Sequence, residues 1–166
     1  MSTPPTARLA ELGLSLPEVP APLAAYVPAA RTGGLAFSAG QLPFVSGQLL
    51  AVGKVGSKVP VETAVQCARV AALNGLAAVA AEVGGLDAIA RVVKVVVYVA
   101  GGPAFVEQPR VANGASQLLG DVFGDAGRHA RSAVGVTSLP MDSPVEVELI
   151  VEVRARATVQ PVATSA

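Results

Sequence analysis

The chain has few of the residues from which metal and redox centres are built. It holds one cysteine, Cys67, and one histidine, His129. A single cysteine excludes an intrachain disulfide. Neither residue sits in a CxxC or HxxxH spacing, so no metal site is expected, and no organic cofactor either. Tryptophan is absent, and the aromatic side chains are four Phe and two Tyr. Charged residues make up only 14% of the chain and balance at 12 basic and 12 acidic. Without a basic stripe or interleaved aromatics there is no electrostatic footprint for nucleic acid. No glycine-rich stretch joins a strand to a helix as a phosphate fingerprint. The longest charge-free run, Thr32 to Gly53, carries five Gly and one Pro, a hairpin composition rather than that of a membrane span. No basic, then apolar, leader opens the chain, and a cytoplasmic protein is expected.

What is abundant is alanine and valine, within a hydrophobic fraction of 52%. Small apolar residues fill a core and equally suit a subunit interface, so the composition favours an oligomer. The length of 166 residues fits one domain. Residues 1–22 read as an N-terminal extension, 23–157 as the domain and 158–166 as a flexible tail.

Within the extension, Ala7 to Leu14 reads as a short helix ahead of Pro17, Pro20 and Pro22. Ala24–Ala30 and Leu35–Ala39 read as strands around the turn Thr32-Gly33-Gly34, and Gln48–Val52 as a short third strand. Val61–Val83 is the clearest helix. Pro60 suits its first turn, Glu62 faces the positive end of its dipole and Gly84-Gly85 stops it. Arg91–Ala100 has valine on both faces, as expected of a strand buried on both sides. Gln108–Val122 reads as a second long helix. The order β-β-β-α-β-α-β-β predicts an α+β sandwich, a mixed sheet with two helices packed on one face.

The chain then closes with an expected β-hairpin over Arg131–Arg156. Val134 and Val136 alternate with Arg131, Ala133 and Gly135. Val145, Val147, Leu149, Val151 and Val153 alternate with Glu146, Glu148 and Glu152. Side chains alternate faces along a strand. A hairpin would therefore set Arg131, Glu146 and Glu148 on one polar surface, suited to binding and turning over a small anion. The competing reading makes Arg131 a structural ion-pair partner of Glu146 or Glu148. His129 reads as a loop residue and Cys67 as a small core residue.

Several motifs stand in a characteristic order: Ala25-Tyr26-Val27, Ser38-Ala39-Gly40-Gln41-Leu42-Pro43, the helix from Pro60, Val93–Val99, Asn113, Ala130-Arg131-Ser132, Leu139-Pro140 and Val145-Glu146-Val147-Glu148. In these residues, over roughly Ala21 to Val153, the chain resembles the RidA (YjgF) family, as a divergent branch with a longer N-terminus. The resemblance implies a chorismate-mutase-like fold, a homotrimer with pockets between subunits, and an enamine/imine deaminase without metal or cofactor. It implies that Arg131 grips the carboxylate of a small imino or oxo acid and that Glu146 helps hold the attacking water. Tyr26, Ala39, Asn113 and Ala133 complete the implied substrate pocket. The sequence departs from the family at Ala133, where cysteine is frequent, at Ala39, which lacks a hydroxyl, and at Gly135, where glutamate is frequent. These departures bear on substrate choice more than on the reaction. Three readings stay open: an imine hydrolase, a non-catalytic trimeric carboxylate-binding protein, and an RNA-acting translation inhibitor or endoribonuclease. The neutral charge counts against the third.

Overall fold

The computed structural model describes residues 3–19 and 25–155. Helix α1 (Pro5–Glu11) leads to the hairpin β1 (Ala29–Thr32) and β2 (Leu35–Ser38). A small separate hairpin follows, β3 (Phe44–Val45) and β4 (Gln48–Leu49). Then come α2 (Val61–Val83), β5 (Ile89–Ala100), α3 (Gln108–Phe123), β6 (Ala130–Val136) and β7 (Val145–Val153). The main sheet has the order β1-β2-β7-β5-β6, with β5 and β6 parallel and the other neighbours antiparallel. Helices α2 and α3 pack together over one face, and α1 rests on α3. The fold is α+β and mixed, as the element order predicted.

Local chemistry accounts for the elements. Pro60 caps α2 at its start, and Gly84, at φ 91°, closes it in the left-handed conformation that glycine adopts freely. Helix α2 is long and apolar enough to cross a bilayer, but 67% of that apolar window is buried inside the molecule. Its small residues let it approach its neighbours closely. A methyl group on Gly114 of α3 would collide with the Val65 backbone carbonyl of α2, and one on Gly75 would press into Leu149 of β7. On β7, Val145, Val147, Leu149, Val151 and Val153 are buried beneath the helices, together with Val95, Val97 and Val99 of β5. The expectation that β5 is buried on both faces holds for this side. The residues on its other side, Val96 and Tyr98 among them, are only half-buried.

One expectation is corrected. The chain between Arg131 and Val153 is not a hairpin: β6 pairs in parallel with β5, and β7 lies between β5 and β2. A 16-residue helix separates β5 from β6 and returns the chain to the same end of the sheet, which makes the pair parallel. The short strand β3 was also missed, because two residues are too few to show alternation. Residues 1–22, read as an extension, include α1, whose Leu9 is buried in the common core. Residue 24 of the expected first strand and the expected tail 158–166 lie outside the described residues.

One buried polar residue ties this framework to a loop. Asn74, in the apolar middle of α2, donates its side-chain amide to the carbonyls of Leu42 (2.9 Å) and Phe44 (3.1 Å). These bonds pin the loop that follows β2 onto the helix. Asn74→Ala should leave both carbonyls short of a donor and lower stability by about 1–3 kcal/mol. Denaturant unfolding of the variant with an unchanged midpoint would contradict this role.

Candidate functional site

Arg131 sits on β6, at an edge of the sheet. It pairs with Val95 of β5, whose side chain is buried under the helices, so Arg131 points to the helix side. There its Nη1 donates to Asn113 Oδ1 at 2.8 Å and to Ser116 Oγ at 3.2 Å. Asn113 and Ser116 are one turn apart on α3 and so share a helix face. Both bonds fall on Nη1, which leaves the Nε–Nη2 fork, the side that suits a carboxylate, turned away from α3. Among the described residues the ion pairs are Arg69–Asp121, Arg91–Glu152, Arg110 with Glu62 and Glu107, and Arg128–Asp125; none involves Arg131. The ion-pair reading with Glu146 or Glu148 therefore does not hold within one chain. Ala133 follows two residues along the same face of β6. Beyond it, the Gln108 amide crowds the space that a side chain at Gly135 would need, while donating to the Phe105 carbonyl at 2.7 Å.

Glu146 lies elsewhere. It pairs with Tyr98, and both point to the face without helices. Its carboxylate occupies the place where a side chain at Gly40 would project. The motif Ser38-Ala39-Gly40-Gln41 explains the fit. Ser38 Oγ accepts from the Leu149 N–H (2.9 Å), and Gln41 exchanges two backbone bonds with Val147 (2.8 and 2.9 Å). This holds Gly40 against Glu146. Ala39 donates its N–H to the Pro28 carbonyl at 2.8 Å, and Tyr26, 52% exposed, stands two residues ahead of Pro28. Burial pushes the Glu146 carboxyl above its ordinary value, and the charge of neighbouring Glu148 raises it further. Glu148 itself accepts from Tyr98 Oη at 3.2 Å.

The shared polar surface expected for Arg131, Glu146 and Glu148 is thus overturned. Arg131 is on the helix side of the sheet and the two glutamates are on the other. Strand β5 lies between β6 and β7, which sets the strands about 10 Å apart. Arg131 is level with Leu149, three residues or about 10 Å along β7 from Glu146. The chain thus holds two separate polar groupings, Arg131–Asn113–Ser116 with Ala133, and Glu146–Gly40 with Ala39 leading back toward Tyr26. Two cavities, of about 230 and 270 Å³, lie elsewhere, and neither is lined by Arg131 or Glu146.

The sequence reading passed over Asn74, Ser116 and His129 as site components. Asn74 had a signal, a lone amide within an apolar helical run. His129 is on a loop, as expected, but it is hydrogen-bonded to Ser116. Among the described residues no group of three His, Cys, Asp or Glu side chains is placed to hold a metal. Burial pushes the Cys67 thiol up to about 11, which leaves little thiolate at neutral pH.

A family model described as "YjgF/chorismate_mutase-like, putative endoribonuclease" matches residues 6–153. The Trypanosoma cruzi protein TCP17 is 42% identical over 147 residues, covering 88% of this chain and 92% of that one. The crystal structure of Atu1372 from Agrobacterium tumefaciens is 45% identical and superposes with a TM-score of 0.83, covering 91% of this chain and 94% of that one. A Shewanella oneidensis structure described as a putative endoribonuclease is 33% identical, with a TM-score of 0.87 and coverage of 91% and 100%.

The environment of Glu146 has a consequence for stability. Its folded-state pKa is raised, so the native state binds this proton more tightly than the unfolded chain. The stabilising contribution is complete below the unfolded pKa and is lost as pH rises through the raised folded value. Glu146→Gln should therefore gain stability over the parent as pH rises from about 4 toward 8. Denaturation midpoints differing by the same amount across that range would refute it.

Proposed function

The chain belongs to the YjgF/chorismate-mutase-like family, and on that premise we propose that it hydrolyses reactive 2-imino and enamine acids to 2-oxo acids and ammonia. The observation that carries this reading is the setting of Arg131. Its guanidinium is braced through Nη1, its Nε–Nη2 fork is available, and no carboxylate of the described chain lies within ion-pair range.

The chemistry follows from that setting. A 2-imino acid has a carboxylate next to the C=N carbon. The fork binds the carboxylate by two parallel hydrogen bonds and so fixes the electrophilic carbon in place. Water adds to that carbon, and its proton passes to an acceptor. The acceptor returns that proton to the nitrogen, giving an amino alcohol; the hydroxyl proton then passes to the nitrogen as well, the C–N bond breaks, and ammonia leaves the 2-oxo acid behind. Glu146 serves as the acceptor: a half-buried carboxylate with a raised pKa is a stronger base than an ordinary one and lies nearer neutral pH. The residues of this chain need no metal and no covalent nucleophile for these steps.

Because these two groupings lie on opposite faces, the complete site takes Arg131 and Asn113 from one copy and Glu146 and Tyr26 from another, in a homotrimer. Two features support self-association. Strand β6 is a seven-residue edge whose outer backbone groups have no strand partner in the described chain. The helix-free face of the sheet also leaves Phe37, Leu35 and Val134 exposed. The family description and the Shewanella protein carry the endoribonuclease label. The balance of 12 basic against 12 acidic residues weighs against such a partner here.

The test is steady-state release of ammonia from freshly generated 2-iminopropanoate. Arg131→Ala should lose a charge-assisted pair of about 1.5–3 kcal/mol, at least about tenfold in kcat/KM, while the trimer stays folded. Arg131→Lys should also be poor, because lysine lacks the planar fork. Glu146→Gln should lower kcat more than it raises KM. A folded Arg131→Ala protein working at the parental rate would overturn the assignment, and a monomer at micromolar concentration would overturn the shared site. If the parent is inactive on every imine yet binds small carboxylates at Arg131, the chain is a binding protein instead.

A further inference from the structure

Ser116 joins two hydrogen bonds that the proposed reaction does not use. Its hydroxyl meets Arg131 Nη1 at 3.2 Å and His129 Nε2 at 3.0 Å. The other ring nitrogen of His129, Nδ1, is 2.6 Å from the Gly127 carbonyl oxygen. A carbonyl only accepts, so Nδ1 carries a proton. In the neutral imidazole Nε2 is then bare and accepts from the Ser116 hydroxyl. Arginine only donates, so Ser116 Oγ takes the Nη1 proton on a lone pair. With the ring in that neutral form the bonds run in one direction, Arg131 to Ser116, Ser116 to His129, His129 to the Gly127 carbonyl. The far end of the chain of bonds is fixed by packing. Gly127 is buried, and a side chain there would collide with the Leu119 carbonyl of α3. The turn Gly124–Gly127 therefore lies directly against the helix that carries Ser116 and Asn113.

We propose that His129 and Ser116 are positioning residues. Neither touches substrate; together they hold the Arg131 guanidinium so that its Nε–Nη2 fork faces outward toward a ligand carboxylate. The proposal rests on reading Arg131 as the carboxylate-binding group. An arginine on the rim of a sheet has a long side chain with several rotatable bonds. Freezing it at the moment of binding opposes affinity, and a network that freezes it beforehand removes that opposition. Asn113 fixes one Nη1 proton and Ser116 the other, so the plane of the guanidinium is set as well as its position.

The chain has a single histidine, so long-range ¹⁵N–¹H correlation on the uniformly labelled full-length protein reads one imidazole. The expected pattern is the Nδ1–H tautomer. Calorimetry with pyruvate as the probe 2-oxo acid gives the second readout. Ser116→Ala and His129→Leu should each raise the Kd about three- to tenfold, the weight of one hydrogen bond, with oligomer size as in the parent. Ser116→Thr, which keeps the hydroxyl, and His129→Gln, whose amide oxygen takes the place of Nε2, should restore most of the affinity. An Nε2–H tautomer, or a Kd unchanged in both Ser116→Ala and His129→Leu, overturns the relay while Arg131→Ala still abolishes binding. Pyruvate binding that survives Arg131→Ala, or is absent from the parent, overturns the carboxylate-site reading itself. Should Ser116→Ala fail to fold, the tautomer and the contrast of His129→Gln with His129→Leu decide.

Discussion

Helix α3 carries the chain from the end of β5 back over one face of the sheet, so β6 enters parallel to β5 and at its outer side. The surroundings of Arg131 depend on this crossover. It makes β6 an edge strand and leaves the other side of β5 to β7, which fills the centre of the sheet with valine and leucine beneath the helices. It also brings α3 alongside β6, so that a helical turn bearing Asn113 and Ser116 faces Arg131. A hairpin between β6 and β7 would have placed the arginine among the glutamates and neutralised it.

The surroundings of Glu146 depend on close packing rather than on a crossover. Gly40 has room for the Glu146 carboxylate only because it has no side chain, and it stays there because Ser38 and Gln41 tie the flanking backbone to β7 and Asn74 ties the following loop to α2. The result is a carboxylate that burial and Glu148 make harder to ionise. Such a group lowers stability at neutral pH. Arg131 makes the contrast: it is exposed, and its side-chain partners are the neutral Asn113 and Ser116.

Much of the local structure was legible in the sequence because its causes are local. Pro60 and Gly84-Gly85 bound the long helix, Thr32-Gly33-Gly34 turned the first hairpin, and the strict alternation of Val145 to Val153 marked a strand with one buried face. Asn113 and Arg131 were singled out by motif order, and the structure joins them by a hydrogen bond. Asn74 carried a readable signal as well, a polar residue in a run where only a satisfied amide is tolerated.

Strand pairing was not legible. Alternation shows that a strand has two faces, but not which neighbour it takes or which face the helices cover. In β6 the residues are small or exposed on both faces, so the pattern had little power to choose. The side of the sheet occupied by Arg131, its separation from Glu146 and its link through Ser116 to His129, thirteen positions away from that serine, all follow from the long-range docking of β6 beside α3. The sequence by itself determined the helices, the turns, the central strand and the identity of the charged residues, because propensity and periodicity act over a few neighbours. Only the tertiary structure decided which of those charges meet, because that depends on which strand fills the place beside β5.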